Sequence, residues 1–363
     1  MFLSFDGVDG VGKTTQIELL CQWLEQQQQQ LVLAVDRANG QEKWRTVIHT
    51  GGFQSKRQVH EKSTHANGTL VCNGTALFTA FLNSEAITAT AISLDGDILW
   101  QKEVGKFVST WGYAPSPVLY HSLVIIAADN RGGGFLVALD AETGSIAWRI
   151  ARGNHSSYSS PAIAHVSGRD QLLISGAGAV TSYDPASGEK IWSTPAIAET
   201  TCGTIVVSDD RIFASGGYPD RETVCLSADG KKLWSNNTKV YEPSMIVVGN
   251  QLVGVTDDGI AYGWSVKDGS QIFKKRLGGK FSASPLLCNG QIYVPNLAGT
   301  TFVFKIDEGF EMISKNRLGD DSYASPAAVD GQLFLRIGIG SGRDRREQLV
   351  CLADEEATVD IGG

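Results

Sequence analysis

Three groups of residues in this chain have types and spacing that could do chemistry. The first is Gly7-x-x-x-x-Gly12-Lys13-Thr14-Thr15, inside FDGVDGVGKTTQ. Glycines let the backbone wrap its N–H groups around a phosphate, a lysine here reaches the β and γ oxygens, and the threonine hydroxyl ligates Mg²⁺. A working loop of this kind binds ATP and Mg²⁺. The second group is His60, Glu61 and His65, two imidazoles and a carboxylate within six residues of a long polar stretch. Such a set could bind a metal, but Lys62 between them opposes a cation, so no metal is assigned and a hydrogen-bonded loop is the competing reading. The third is Asp129 and Arg131, either side of Asn130 and just before Gly132-Gly133-Gly134, a polar cluster with the composition of a functional loop. No Ser-His-Asp set or carboxylate pair can be assembled from spacing, and no catalytic residue is assigned.

These groups sit in two different settings. MFLSF reads as a buried strand and KTTQIELLCQWLEQQ as an amphipathic helix, with Ile17, Leu20, Cys21 and Leu24 on one face. Strand, glycine loop and helix start form the context a phosphate loop needs. That context ends near Gln26, and the run Gln26–Gln30 reads as a linker. Beyond it lies an internal repeat: AVDRANGQEKW (34–44), ISLDGDILW (92–100), ALDAETGSIAW (138–148), SYDPASGEKIW (182–192), LSADGKKLW (226–234), WSVKDGSQIF (264–273) and the faded FKIDEGFEMI (304–313). Each copy is an apolar strand, an Asp/Gly turn and a strand closed by an aromatic or apolar anchor. The anchors at 44, 100, 148, 192, 234, 273 and 313 are separated by 56, 48, 44, 42, 39 and 40 residues, the spacing of four-stranded propeller blades. Between anchors lie strand pairs such as SPVLYHSLVIIAAD (116–129) and SPLLCNGQIYVPN (284–296). A ring at the same place in successive units reads as a packing wedge between sheets rather than a ligand-stacking group.

The pattern predicts an all-β fold: a seven- or eight-bladed β-propeller with four-stranded blades, preceded by a short strand-loop-helix fragment. Residues 1–30 form the fragment and 31–363 the propeller. The first repeat lacks an SP strand pair and the last lacks a closing strand, so EKWRTVI is expected to complete the final blade. The long polar insert holding His60 and His65 accounts for the 56-residue first interval.

The repeat ALDAETGSIAW and its siblings resemble the PQQ-like, quinoprotein-type β-propellers over about residues 31 to 352. SKRQVHEKSTHANGT (55–69) and DNRGGGFLVALD (129–140) look like a bacterial, planctomycete-like branch, whose members are commonly exported and mostly have no assigned reaction. The opening residues resemble the start of thymidylate kinases, and on that resemblance Gly7, Gly12, Lys13, Thr14 and Thr15 take the phosphate-loop positions. The rest of such a kinase has no counterpart: no further parallel strands, no basic nucleoside-binding segment, no arginine-bearing lid. Quinoprotein dehydrogenases resemble the repeat but are much longer, and they typically hold PQQ and calcium beneath a vicinal cysteine pair. The six cysteines here are dispersed, so PQQ is not expected. The related outer-membrane assembly lipoproteins use the same propeller to bind proteins, from behind an export signal and a lipid-bearing cysteine that this N-terminus lacks.

The expected function is therefore a binding or interaction scaffold without assigned catalysis, taking a protein or small molecule at the loop-rich face or central channel. Thymidylate kinase activity is the alternative raised by the opening motif. A net charge of -8 argues against nucleic acid as the partner. No segment has the apolar length of a membrane span, and without an export signal the chain as written is expected in the cytoplasm.

Overall fold

The computed structural model describes residues 2–4, 29–307 and 309–353. The phosphate loop, its helix and the residues Gly7, Gly12, Lys13, Thr14 and Thr15 lie outside them. The described chain is an all-β propeller with almost no helix, and its blades number seven when counted by closing strands. Six sheets have all four strands, each a meander of neighbours in sequence order, over 71–106, 118–153, 162–195, 206–236, 246–276 and 286–317. Two three-stranded sheets come from the chain ends: Phe2–Ser4, Gln29–Val35 and Glu42–Thr50 form one, and Ala327–Val329, Gln332–Ile339 and Arg346–Ala353 the other. The strand holding EKWRTVI thus pairs with Gln29–Val35 and not with the last sheet, correcting the expected closure. Its preceding turn reaches that sheet through a side chain instead, where Arg37 Nη1 donates to Asp330 Oδ2 at 2.7 Å.

Two compact units divide the described chain, one of residues 29–33 and 44–241, the other of 34–43 and 242–353. In each, the second and third strands of a sheet are buried almost throughout, as in Leu123–Ala128 and Gly134–Asp140 of the first unit. Near-continuous apolar runs such as LVIIAA suit strands covered on both faces. Outer strands alternate instead, Ile146–Gly153 keeping Trp148 in and turning Arg149 out.

The anchors explain the repeat physically. Within the first unit the indole N–H of Trp44 donates to Leu94 O at 2.7 Å, Trp100 to Ala141 O at 2.9 Å, Trp148 to Pro185 O at 3.1 Å and Trp192 to Ala228 O at 2.9 Å. Each tryptophan reaches the turn of the following sheet and lies flat against that turn's glycine. A Cβ on Gly144, at φ +69°, would sit 2.7 Å from the Trp100 ring, and Gly188 stands the same way to Trp148. Glycine is needed there for both its positive φ and its bare surface. The Asp of the turn caps it from within: Asp140 Oδ1 accepts from the Thr143 N–H at 2.8 Å and the Glu142 N–H at 3.2 Å.

A one-residue bulge precedes the anchors at 100, 148, 192, 234 and 273, as between Ala138/Leu139, Ser182/Tyr183 and Cys225/Leu226. In the sheet over 286–317 the bulge places Ser314, opposite Val303, at the anchor register, and Ile313 is exposed. The seventh anchor is therefore displaced by one residue from the sequence reading, and Phe310 and Met312 pack on the core in its stead.

The serine of each SP pair has a second role. Thr69 N donates to Ser116 Oγ and Ser116 N to Ser160 Oγ in the first unit, at 2.8 and 2.9 Å. Ser244 N to Ser284 Oγ and Ser284 N to Ser325 Oγ repeat this in the second. Successive inner strands are thus stitched side chain to backbone at their entrances, where the ladder supplies no partner.

Candidate interaction face

The loops joining one sheet to the next, and the hairpins joining second to third strands, are hydrogen-bonded to one another through the first unit. His60 N donates to Trp111 O at 3.2 Å, Tyr158 N to Thr201 O at 2.8 Å, Ala177 N to Glu199 O at 2.8 Å and Thr200 N to Tyr218 O at 3.3 Å. Backbone bonds of this kind hold loops in one conformation without a helix or strand.

The polar insert is docked as well. Asn67 Nδ2 donates to Tyr113 O at 3.0 Å, Ser109 Oγ to Gln58 O at 2.7 Å, and the buried Gln30 Nε2 to His65 O at 2.6 Å. Its two histidines turn to different neighbours. His60 meets Trp111 edge-on at 5.8 Å, whereas His65 stacks on Phe53 at 4.7 Å. His60 Nδ1 also accepts from the Lys62 N–H at 3.2 Å. Glu61 is exposed. Among the described residues no group of three or more His, Cys, Asp or Glu is placed to hold a metal.

The second predicted cluster splits in depth. Asp129 is buried and grips Arg152 with both oxygens, Nε–Oδ1 at 2.6 Å and Nη2–Oδ2 at 2.9 Å, the two side chains only 5% and 4% exposed. Arg152 Nη1 donates onward to the Tyr183 hydroxyl at 3.0 Å. Burial opposes the Arg152 charge, but Asp129 more than offsets it and the guanidinium pKa is raised. Tyr113, fully enclosed and donating to Ala127 O at 3.0 Å, has its phenol pushed up by burial and then by the Asp129 charge. Asp129 is thus a strut, paired in the way a buried carboxylate must be. Asn130 is buried too, its Oδ1 accepting from Gly132 N at 2.8 Å and Val108 N at 3.2 Å. Only Arg131 of the cluster reaches the surface.

Between the two predicted clusters runs segment 107–113, which no sequence signal singled out. It carries His60 on one side through Trp111 and Asn130–Gly132 on the other through Val108. Trp111 is 52% exposed and Val108 53%, on a backbone held from both sides. Farther along the same loops Tyr218 is 67% exposed. A large exposed aromatic on a fixed loop is the informative exception to burial. The signal available in sequence was TWGY itself, a tryptophan outside the repeat register.

The described cysteines, at 72, 202, 225, 288 and 351, form no disulfide with one another, and Asp129, the carboxylate of the cluster, is committed to Arg152. No described helix is long and apolar enough to cross a membrane.

A family model described as outer membrane protein assembly factor BamB matches residues 28–275 and 220–336. No curated protein sequence matches the chain. Among solved structures, BamB from Moraxella catarrhalis is similar at a TM-score of 0.66 and 14% identity, covering 92% of this chain and 98% of that one. A quinohemoprotein alcohol dehydrogenase from Comamonas testosteroni also reaches 0.66, at 12% identity, over 89% of this chain and 72% of the other. A europium-containing methanol dehydrogenase follows at 0.51 and 12% identity, covering 76% and 83%. At such identities the likeness is one of fold.

Proposed function

We propose, for a chain that belongs to the outer membrane protein assembly factor BamB family, an interaction scaffold: a propeller that holds a protein partner against its loop-rich face. The observation that carries this reading is the exposure of Trp111 and Val108 on a segment fixed from both sides. Fixed aromatic side chains lose little entropy on binding, and Trp, Tyr and Arg are the residues that dominate interface energetics. Arg131, Tyr218 and the predicted His60 border the same loops, so the polar residues read from sequence serve as the rim of an apolar centre. The buried Asp129–Arg152 pair supports the loop that presents Arg131.

A photoreactive amino acid at position 111 or 218 tests the reading in the native cell, with one at Lys102 on an outer strand as the control. Discrete adducts from 111 and 218 alone support a partner on this face; equal yields from all three positions refute it. On this reading the chain transfers no phosphate. Purified protein given ATP, Mg²⁺ and thymidine monophosphate produces no diphosphate, and turnover abolished by Lys13→Ala contradicts that expectation.

A further inference from the structure

The last sheet, in the second unit, has a strand whose burial does not suit an outer edge. Arg346–Ala353 is the outermost of the sheet's three described strands, yet Leu349, Val350 and Cys351 are only 8%, 7% and 8% exposed. Four buried residues in a row also mark Thr300–Lys305, a third strand that has Glu311–Arg317 beside it. The outer strand Gln271–Arg276 of the same unit buries Phe273 alone. A strand as enclosed as Arg346–Ala353 has a neighbour on its free edge, because the backbone N–H and C=O groups of buried residues need partners.

A turn beside this strand is built to receive an anchor. In the turn over 36–41, Asp36 N donates to Gln41 O and Gly40 N to Asp36 O, both at 2.7 Å. The tryptophan-bearing turn of the first unit does the same, Asp140 N to Ser145 O at 2.8 Å and Gly144 N to Asp140 O at 2.9 Å. Gly40 and Gly144 share a φ of +69°. In the first unit the anchor on each such turn comes from the sheet before it. For the turn over 36–41 that sheet is the last one. Arg37 pairs with Asp330, and burial pushes the Cys351 thiol up while the Arg37 charge opposes it. The described part of the last sheet ends at Ala353, short of any anchor.

Residues 354–363 lie outside the described ones, but their sequence continues the repeat. CLADEEATVDI (351–361) follows ALDAETGSIAW (138–148) in its apolar positions, with Leu352 for Leu139, Val359 for Ile146 and Ile361 for Trp148. Ala357 stands where the other copy has Gly144. The sheet over 286–317 brings Ser314 to its anchor register, so no ring requires bare backbone at 357. We propose that residues 357–361 run antiparallel along Arg346–Ala353 as its fourth strand, with Ile361 the anchor that covers Gly40. The pairs Leu139↔Ile146 and Ala138↔Trp148 set the register, placing Leu352 opposite Val359 and Cys351 opposite Ile361. Such a strand shields an edge otherwise open to strand addition from another chain. The proposal is independent of the partner-binding reading.

The register supplies the test. Directly opposed residues on paired strands stand within reach of a disulfide. Oxidised, folded full-length Ile361→Cys should therefore contain a disulfide between positions 351 and 361, identified by peptide mapping. Asp360→Cys, whose side chain points to the other face of the strand, should not form one. Ile361→Asp and a chain stopped after Glu356 should both unfold at lower urea than the full chain, and the shortened chain should also associate through its bared edge. Absence of the disulfide in folded Ile361→Cys, or equal yields from Ile361→Cys and Asp360→Cys, overturns the proposal. So does a shortened chain that keeps both the unfolding midpoint and the association state of the full one.

Discussion

Asp129 and Arg152 have both been taken out of water, so removing one strands the other. Asp129→Ala leaves a buried guanidinium without its counter-ion and is expected to cost about 3–5 kcal/mol. Replacing both partners, Asp129→Leu with Arg152→Met, should return most of that loss, and urea unfolding of the three proteins compares them directly. Asp140 gives a milder, pH-dependent case. The Thr143 N–H and hydroxyl, then the Glu142 N–H, hold its carboxyl below the ordinary 3.8. A carboxyl lowered in the folded state stabilises above the unfolded value, and that stability is lost as pH falls through the folded one. The stability gap between the protein and Asp140→Asn should therefore be constant at neutral and mildly acidic pH and close below 3.8. Sequence placed Asp129 and Arg131 side by side as one polar cluster. It had no means of showing that Asp129 turns inward, because its partner Arg152 lies 23 residues away in a different strand.

At the scale of the element, the repeat was legible because each residue in it answers a local demand. The Asp/Gly turn and the anchor tryptophan could be read together, and their contact proves to be one joint between neighbouring sheets. Trp100→Phe keeps an aromatic ring but loses the pyrrole part of the indole and its bond to Ala141 O, for an expected cost of about 1–3 kcal/mol. Gly144→Ala meets both the positive φ and the indole, and should cost about 1–3 kcal/mol. Shifts in unfolding midpoint without a change in slope would confirm that both act on the folded joint. The SP serines were read only for the proline's tolerance at a strand entrance, and their hydroxyls accepting from the preceding inner strand went unseen. The misplaced seventh anchor has a plain cause: with no aromatic at that position, spacing alone could not count the bulge. Closure failed for a similar reason. Strand order depends on which edges meet, and EKWRTVI carries nothing that distinguishes its own sheet from the last one.

For the molecule as a whole, fold was far more legible than site. A propeller announces itself by period, whereas its binding face is assembled from loops many residues apart. His60 and Arg131 were read as isolated polar signals; Trp111 and Val108, on the segment that lies between them in the structure, belong to a stretch without period or motif. The phosphate loop is conspicuous in sequence because its residues are contiguous, and it lies outside the described residues. The central claim is that partner binding is carried by the face around Trp111. Its most direct measurement is photocrosslinking from position 111 in the native cell, compared with the same group at Lys102. A discrete adduct from 111 that is absent from 102 is the result expected; no adduct at 111, or the same adducts at both, would contradict it.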